Sequence, residues 1–351
     1  MKVAIITDQH FGARGDSTQC LDYYQNFYKN IFFPKLKEAG ITTILILGDT
    51  FDRRKFINFN TLSRAKKMFF DVAYDNDMMI TMIAGNHDTY FKNTNEVNSP
   101  ELTLAEYVNI NIVTMPETIS IHGTPICFLP WICADNYTYS MDEIKNTKAE
   151  ICMGHLEIAG FAMYRGAESH DGLSKEAFNK FDMVFSGHYH HKSDNGHVYY
   201  LGNPYELTWQ DYNDPRGFHI FDLETRKLEF VQNTYSLFER FEYDDTAWDP
   251  DSIDTSFCTD KYVKIIVVNK TDFYKFDKFI TRVYTKNPLD VKIVENFSEF
   301  TEGEVDESIN LEDTPMVLSN YIDSVETEVD KERVKNFMKL LYTEALNKEI
   351  N

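Results

Sequence analysis

An α/β layered fold is the class predicted here, on two observations. Short runs of β-branched and aliphatic residues, bounded by Gly, Asp and Asn, recur through the first two thirds of the chain and read as buried strands. Segments with apolar residues at helical spacing lie between them, so strands and helices alternate. The chain has 351 residues and is 43% hydrophobic, enough for one large core and one or two small ones.

In chain order, the expected strands are Val3–Thr7, Thr43–Leu47, Met79–Ala84, Ile126–Leu129, Ile151–Met153, Met183–Ser186 and Val198–Leu201. Helical spacing covers Leu21–Ala39, ended by Gly40, and Thr61–Tyr74. Thr118–Trp131 reads as a hairpin turning at His122-Gly123-Thr124-Pro125. The composition then shifts. Phe241–Thr259 is rich in Asp, Ser and Thr and is expected to be a linker. A small β-α-β unit follows: strand Tyr262–Val268, helix Thr271–Thr285 with Thr271 as N-cap, and return strand Val291–Val294. Phe276, Phe279, Ile280 and Val283 share one face of that helix. An acidic segment, Ser298–Thr314, precedes two amphipathic helices, Pro315–Val325 and Asp330–Asn347. The second carries Val334, Phe337, Met338, Leu341 and Ala345 as a stripe. These divisions give expected domains of 1–240, 241–300 and 301–351.

Net charge is −21, and it is uneven. Between Glu242 and Asp330, 22 acidic residues face 8 basic ones, so that stretch holds −14 of the total. Such a chain is a poor electrostatic match for nucleic acid by itself. The five cysteines are odd in number and form no CxxC pair, which argues against a disulfide framework or a structural zinc site. No apolar run reaches the roughly 18 residues of a membrane span, and the first residues are too short a stretch for a signal peptide. A soluble, cytoplasmic protein is expected.

Five motifs each follow one of the strands. They are Asp8-x-His10, Gly48-Asp49-x-x-Asp52, Gly85-Asn86-His87-Asp88, Gly154-His155 and Gly187-His188-Tyr189-His190. In an open α/β sheet, ligands bind beyond the carboxyl ends of the strands. Imidazole nitrogens with carboxylate and amide oxygens suit open sites for Mn, Fe or Zn. One carboxylate shared between two ions keeps them about 3.5–4 Å apart, a spacing suited to in-line displacement at phosphorus. Asp49 is the candidate bridge. Each motif alone is weak; the ordered set of five is specific.

That ordered set resembles the calcineurin-like metallophosphoesterases and, among them, the SbcD-type DNA repair nucleases. The resemblance implies a four-layer α-β-β-α sandwich with a small α/β cap and C-terminal helices that dock an SbcC-type ABC ATPase. It implies that Asp8, His10, Asp49 and His190 hold one metal, and that Asp49, Asn86, His155 and His188 hold the other. His87 would be no ligand; it would act on the scissile phosphate as proton donor or transition-state stabiliser. The metal implied is Mn²⁺, with Mg²⁺ a weaker substitute. The activities implied are double-strand exonuclease and single-strand endonuclease, in a homodimer within a heterotetramer. Asp214-Pro215-Arg216-Gly217-Phe218 belongs to the same resemblance.

Other residues stay open at this stage. Asp52 joins the site or pairs with the backbone or Arg53. His191 extends the last motif as a surface or supporting residue. Arg53-Arg54-Lys55 and Lys66-Lys67 are a solvated surface or a DNA-backbone contact, and Tyr164 and Arg165 could line a groove. A rival function is another dinuclear phosphoesterase, acting on nucleotides or phosphoproteins. Serine/threonine phosphatases with a similar site read GDxVDRG and GNHE, unlike Gly48–Arg54 and Gly85–Asp88 here. A non-catalytic scaffold would have lost ligands, and none is missing.

Overall fold

A computed structural model describes residues 1–295, except Arg165, Gly166 and Asp171, and isolated positions at 322, 331, 334, 335 and 338. The acidic segment Ser298–Thr314 lies outside the described residues. So do the two closing helices, apart from those positions, and so do Arg165 and the side chain of Tyr164.

All seven expected runs form strands, divided between two six-stranded sheets. The first sheet is ordered Leu228–Gln232, Gly217–Asp222, Lys2–Ile6, Thr43–Ile46, Met79–Ile83, Ile110–Val113. Its last four strands are parallel, and Gly217–Asp222 joins Lys2–Ile6 antiparallel. The second is ordered Ser193–Asp194, Val198–Tyr200, Met183–Gly187, Ile151–His155, Thr124–Leu129, Glu117–Ile121. Its middle four strands are parallel, and the last two form the expected hairpin.

The period-two alternation of the strands builds the layers. Val3, Ile5, Leu45 and Leu47 point between the sheets and meet Phe128, Met153 and Phe185. Their neighbours Ala4, Ile6, Ile44 and Ile46 point outward, onto aromatic residues such as Phe27, Phe32 and Phe69 of the covering helices. On the far side, Cys127, Cys152 and Val184 pack with Ile144 of helix Tyr137–Asn146 and with Phe178. The result is the four-layer α-β-β-α sandwich. All five cysteines are buried and unpaired.

Both covering helices start earlier than helical spacing suggests, because polar caps lie outside the apolar pattern. The Ser17 hydroxyl accepts from Cys20 N, opening Thr18–Phe27, and the Asn58 side chain accepts from Asn60 N and Thr61 N, opening Phe59–Ala65. Each helix then runs through a π turn, at Tyr28–Phe32 and Lys66–Phe70, before resuming. The wider turn brings consecutive aromatic residues, including Phe69 and Phe70, into the core.

The expected linker is corrected at its start. Phe238–Asp244 is a strand, parallel to Tyr262–Asn269, which in turn is parallel to Asp290–Val294. Its sequence, Phe-Glu-Arg-Phe-Glu-Tyr, mixes aromatic and charged residues without strict alternation, and the Asp-rich stretch that follows hides it further. Helix Phe273–Tyr284 packs on this sheet, and its N-cap is Asp272 rather than Thr271. Asp272 accepts from Tyr274 N and Lys275 N, whereas Thr271 is turned to the Asp245 carboxylate. Phe279, fully buried, sits among Phe241, Tyr243 and Trp248 at ring separations of 5.4, 5.2 and 6.4 Å. Phe279→Ala is expected to destabilise this small core by roughly 3–5 kcal/mol. Urea unfolding followed by tryptophan fluorescence measures it; a wild-type midpoint would refute that packing.

Candidate metal centre

The two sheets bring their carboxyl ends to one rim. From the first come Asp8 and His10 after Lys2–Ile6, Asp49 after Thr43–Ile46, and Asn86 and His87 after Met79–Ile83. From the second come His155, the last residue of its strand, and His188 and His190 after Met183–Gly187. The first two loops are bound side by side: Asp8 N donates to Gly48 O (3.0 Å), His10 N to Asp49 O (3.0 Å) and Phe11 N to Thr50 O (2.9 Å). Asp8, His10, Asp49 and His188 all have positive φ, at 52°, 43°, 51° and 84°. Left-handed backbone at four non-glycine residues of one cluster is strain held by the surrounding fold. Gly85 must lack a side chain, because a Cβ there would collide with the Asp49 carboxylate.

The eight residues singled out by the motifs converge. His155 Nδ1 donates to Leu47 O (2.8 Å), which leaves Nε2 facing Asn86 Oδ1 at 2.9 Å and Asp49 Oδ2 at 3.2 Å. His188 Nδ1 reaches the same Asn86 oxygen at 3.0 Å. On the other side of Asp49, His10 Nε2 lies 3.7 Å from Asp49 Oδ2 and 3.1 Å from His190 Nε2, and His190 Nε2 lies 3.9 Å from Asp8 Oδ1. Lone-pair atoms that converge in this way, in a pocket where Asp8, Asp49, His10 and His155 are buried, require positive charge between them. Three overlapping groups satisfy the spacing for a cation: Asp8–His10–His190, His10–Asp49–His87 and Asp8–Asp49–His155. The donor set fits two divalent metal ions, with Asp49 common to two of the groups.

The electrostatics agree. Burial opposes charge on His10, but the carboxylates of Asp52, Asp49 and Asp8 outweigh it and raise its pKa to about 9. Burial likewise opposes charge on His155, and Asp49 and Asp8 again prevail, to about 9. Asp49 is pulled well below the usual carboxylate range: burial resists, but His155, His87 and His10 dominate. Burial and the neighbouring His155 push His188 down to about 3. The carboxylates thus draw positive charge onto nearby imidazoles, and the same field attracts divalent cations.

Several residues of the site were not foreseen in these roles. Asp52, left open by the sequence, places Oδ1 3.3 Å from His10 Nδ1, behind the ring, while its carbonyl accepts from His87 Nδ1 (2.6 Å). Arg53 pairs instead with Asp16 at 3.3 Å. Asp88 is fully buried and accepts from the backbone N–H groups of Thr50, Phe51 and Gly85 and from the Ser99 hydroxyl. Trp131 follows strand Thr124–Leu129 and lies 5.1 Å from the His188 ring. A strand-end aromatic was its only sequence signal. His191 contacts Asp214 Oδ2 through Nδ1 at 2.7 Å. His122 and His197 serve the fold, reaching Thr43 Oγ1 and the Phe181 carbonyl at 2.8 Å each. Lys66 is paired with Glu106 at 2.6 Å.

A family model described as calcineurin-like phosphoesterase matches residues 1–192, a span that contains every one of these motif residues. The chain belongs to the calcineurin-like phosphoesterase family. This phosphoesterase is 30% identical over 355 residues to exonuclease subunit 1 of Enterobacteria phage T4, covering 98% of this chain and 99% of that one. It is 22% identical over 260 residues to the SbcD subunit of the SbcCD nuclease of Staphylococcus epidermidis, covering 65% of this chain and 67% of the relative. The corresponding protein of Staphylococcus saprophyticus is 20% identical over 256 residues, with the same coverage of 65% and 67%. No helix among the described residues is long and apolar enough to cross a membrane.

Proposed function

We propose that this phosphoesterase is the nuclease subunit of an SbcCD-type complex, a Mn²⁺-dependent hydrolase of DNA phosphodiesters acting in recombination and break repair. One observation carries the reading: overlapping groups of histidines and aspartates with metal-binding spacing, on a chain 30% identical to a phage exonuclease subunit over 98% of its length. Asp8, His10, Asp49 and His190 would hold one ion, and Asp49, Asn86, His155 and His188 the other. Bound there, the ions supply charge neutralisation at the phosphoryl oxygens and lower the pKa of water toward neutrality.

The chain's own residues do the rest. Asp49, common to two of the three donor groups, would be the carboxylate shared by the two ions. Asp52 Oδ1 behind His10 Nδ1 orients that ring with Nε2 toward the site. The Asp52 carbonyl fixes the His87 tautomer with a proton on Nδ1. The other ring nitrogen, Nε2, would serve the leaving oxygen as proton donor from the imidazolium form, giving up its Nε2 proton while the Nδ1 proton stays hydrogen-bonded to the Asp52 carbonyl.

The excess acid on Glu242–Asp330 implies weak intrinsic affinity for DNA and a partner that supplies the basic surface. An SbcC-type ATPase is that partner, docked by the segment after residue 300, with two copies of each protein in a heterotetramer. The complex would act in the cytoplasm, the host's if a phage encodes it. The test compares a long linear DNA with p-nitrophenyl phosphate and cyclic dinucleotides. DNA cleavage that is abolished by EDTA and restored by Mn²⁺ better than by Mg²⁺ is expected. Turnover of the small substrates with DNA left intact would instead favour a nucleotide or phosphoprotein phosphoesterase.

A further inference from the structure

We propose that Arg216 is a positioning residue for the metal centre, fixing the loop that carries His190. The inference rests on the ligand reading given above. His190 is only partly held by its own packing: its side chain is 32% exposed, against 2% for His10 and 0% for His155. What restrains it is its backbone. The His190 carbonyl accepts from Asn203 N at 3.3 Å and from Nη1 of Arg216.

Arg216 lies at the start of strand Gly217–Asp222, which pairs with the strand leading to Asp8. Its side chain is only 5% exposed. The same Nη1 donates to Asn203 Oδ1, Nη2 donates to Asp214 Oδ2 (2.6 Å), and Nη2 forms an ion pair with Asp211 Oδ1 at 2.9 Å. Asp214 Oδ2 also receives His191 Nδ1 at 2.7 Å. One guanidinium therefore grips the main chain of residue 190 directly and the side chain of residue 191 through a carboxylate.

The knot continues away from the site. Asp211 Oδ2 accepts from Leu207 N (2.7 Å) and Thr208 N (2.9 Å). The adjacent Glu206 accepts from Leu237 N (2.6 Å) and Phe238 N (2.9 Å), where the small three-stranded sheet begins. Only arginine suits the central position. Its planar fork reaches four acceptors at once, whereas a lysine ammonium has three donors and no fixed fork.

A purely fold-stabilising Arg216 would change unfolding and leave metal affinity per folded molecule alone. A positioning role weakens one ion and spares the other. The experiment titrates Mn²⁺ into the full-length wild-type chain and its Arg216→Gln, Arg216→Lys and Asn203→Ala variants, reading free Mn²⁺ by electron paramagnetic resonance. Circular dichroism checks folding in parallel. Wild type is expected to bind two ions. Arg216→Gln should keep one at wild-type affinity and weaken the other about 10- to 100-fold. Arg216→Lys should fall between, and the Mn²⁺ concentration for half-maximal phosphodiester hydrolysis should rise in step. If Arg216→Gln does not fold, Asn203→Ala loosens the same guanidinium and should weaken one ion by roughly tenfold. Two ions at wild-type affinity in every folded variant would overturn the proposal. A wild-type chain that binds no Mn²⁺ would show instead that the ligand reading had failed.

Discussion

Replacing His87 by alanine is expected to leave both ions bound and the fold intact, while slowing phosphodiester hydrolysis about 10²- to 10⁴-fold. The separation of effects follows from geometry. What His87 gives Asp49 is its backbone N–H, at 2.8 Å from Oδ1, and alanine keeps that bond. The imidazole lies edge-on to His10, with centroids 4.8 Å apart, and is held from behind by the Asp52 carbonyl. Removing the ring deletes an acid or hydrogen-bond donor and none of the donors assigned to either ion. Two checks are needed together: Mn²⁺ stoichiometry of the purified variant and its rate on DNA. Normal cleavage by His87→Ala would end the assigned role. Loss of an ion would make His87 a ligand, as its place in the His10–Asp49–His87 group permits.

Asp88→Ala is expected to lower stability by roughly 3–5 kcal/mol and to disturb the site with it. The carboxylate accepts from three buried backbone N–H groups, those of Thr50, Phe51 and Gly85. Alanine would take that acceptor away from all three. Asp88→Asn keeps one oxygen and should lose less. Unfolding in urea with excess EDTA isolates this effect from metal binding. A wild-type midpoint for Asp88→Ala would show that water or a shifted loop replaces the carboxylate. Asp88 thus ties the Asp49 loop to the Asn86-His87 loop, so the variant should bind metal poorly even where it remains folded.

The residues that made the site legible in sequence were those whose chemistry is scarce. Histidines and aspartates placed just after apolar runs stand out against the background, and all five motifs reached the same rim. The seven expected strands were equally clear, because runs such as Val3–Ile6 and Ile44–Leu47 are buried on both faces, whereas Ile110–Val113 and Leu228–Gln232, at the edges of the first sheet, were not among them. What escaped were residues whose meaning depends on a distant partner. Asp52 looked ready to pair with its neighbour Arg53, yet it serves His10, 42 positions earlier in the chain. Arg216 and Asp214 showed as a short motif, but nothing local indicates that Arg216 reaches the carbonyl of His190 or that Asp214 meets His191. Phe238–Asp244 is partly hidden in the sequence because four of its seven residues are charged and the next segment is rich in aspartate. Helix starts were displaced because Ser17, Asn58 and Asp272 act through polar side chains that carry no apolar signal.

The proposed donors come from both sheets of the sandwich: Asp8, His10, Asp49 and Asn86 from one, His155, His188 and His190 from the other. Cations bound between them would therefore rivet the two halves of the molecule together. By mass action, occupancy adds to folding stability in proportion to the logarithm of free metal over the dissociation constant. Shear of one sheet past the other by even about an ångström would open the donor spacing and release an ion, so this phosphoesterase would lose its chemistry before it lost its fold.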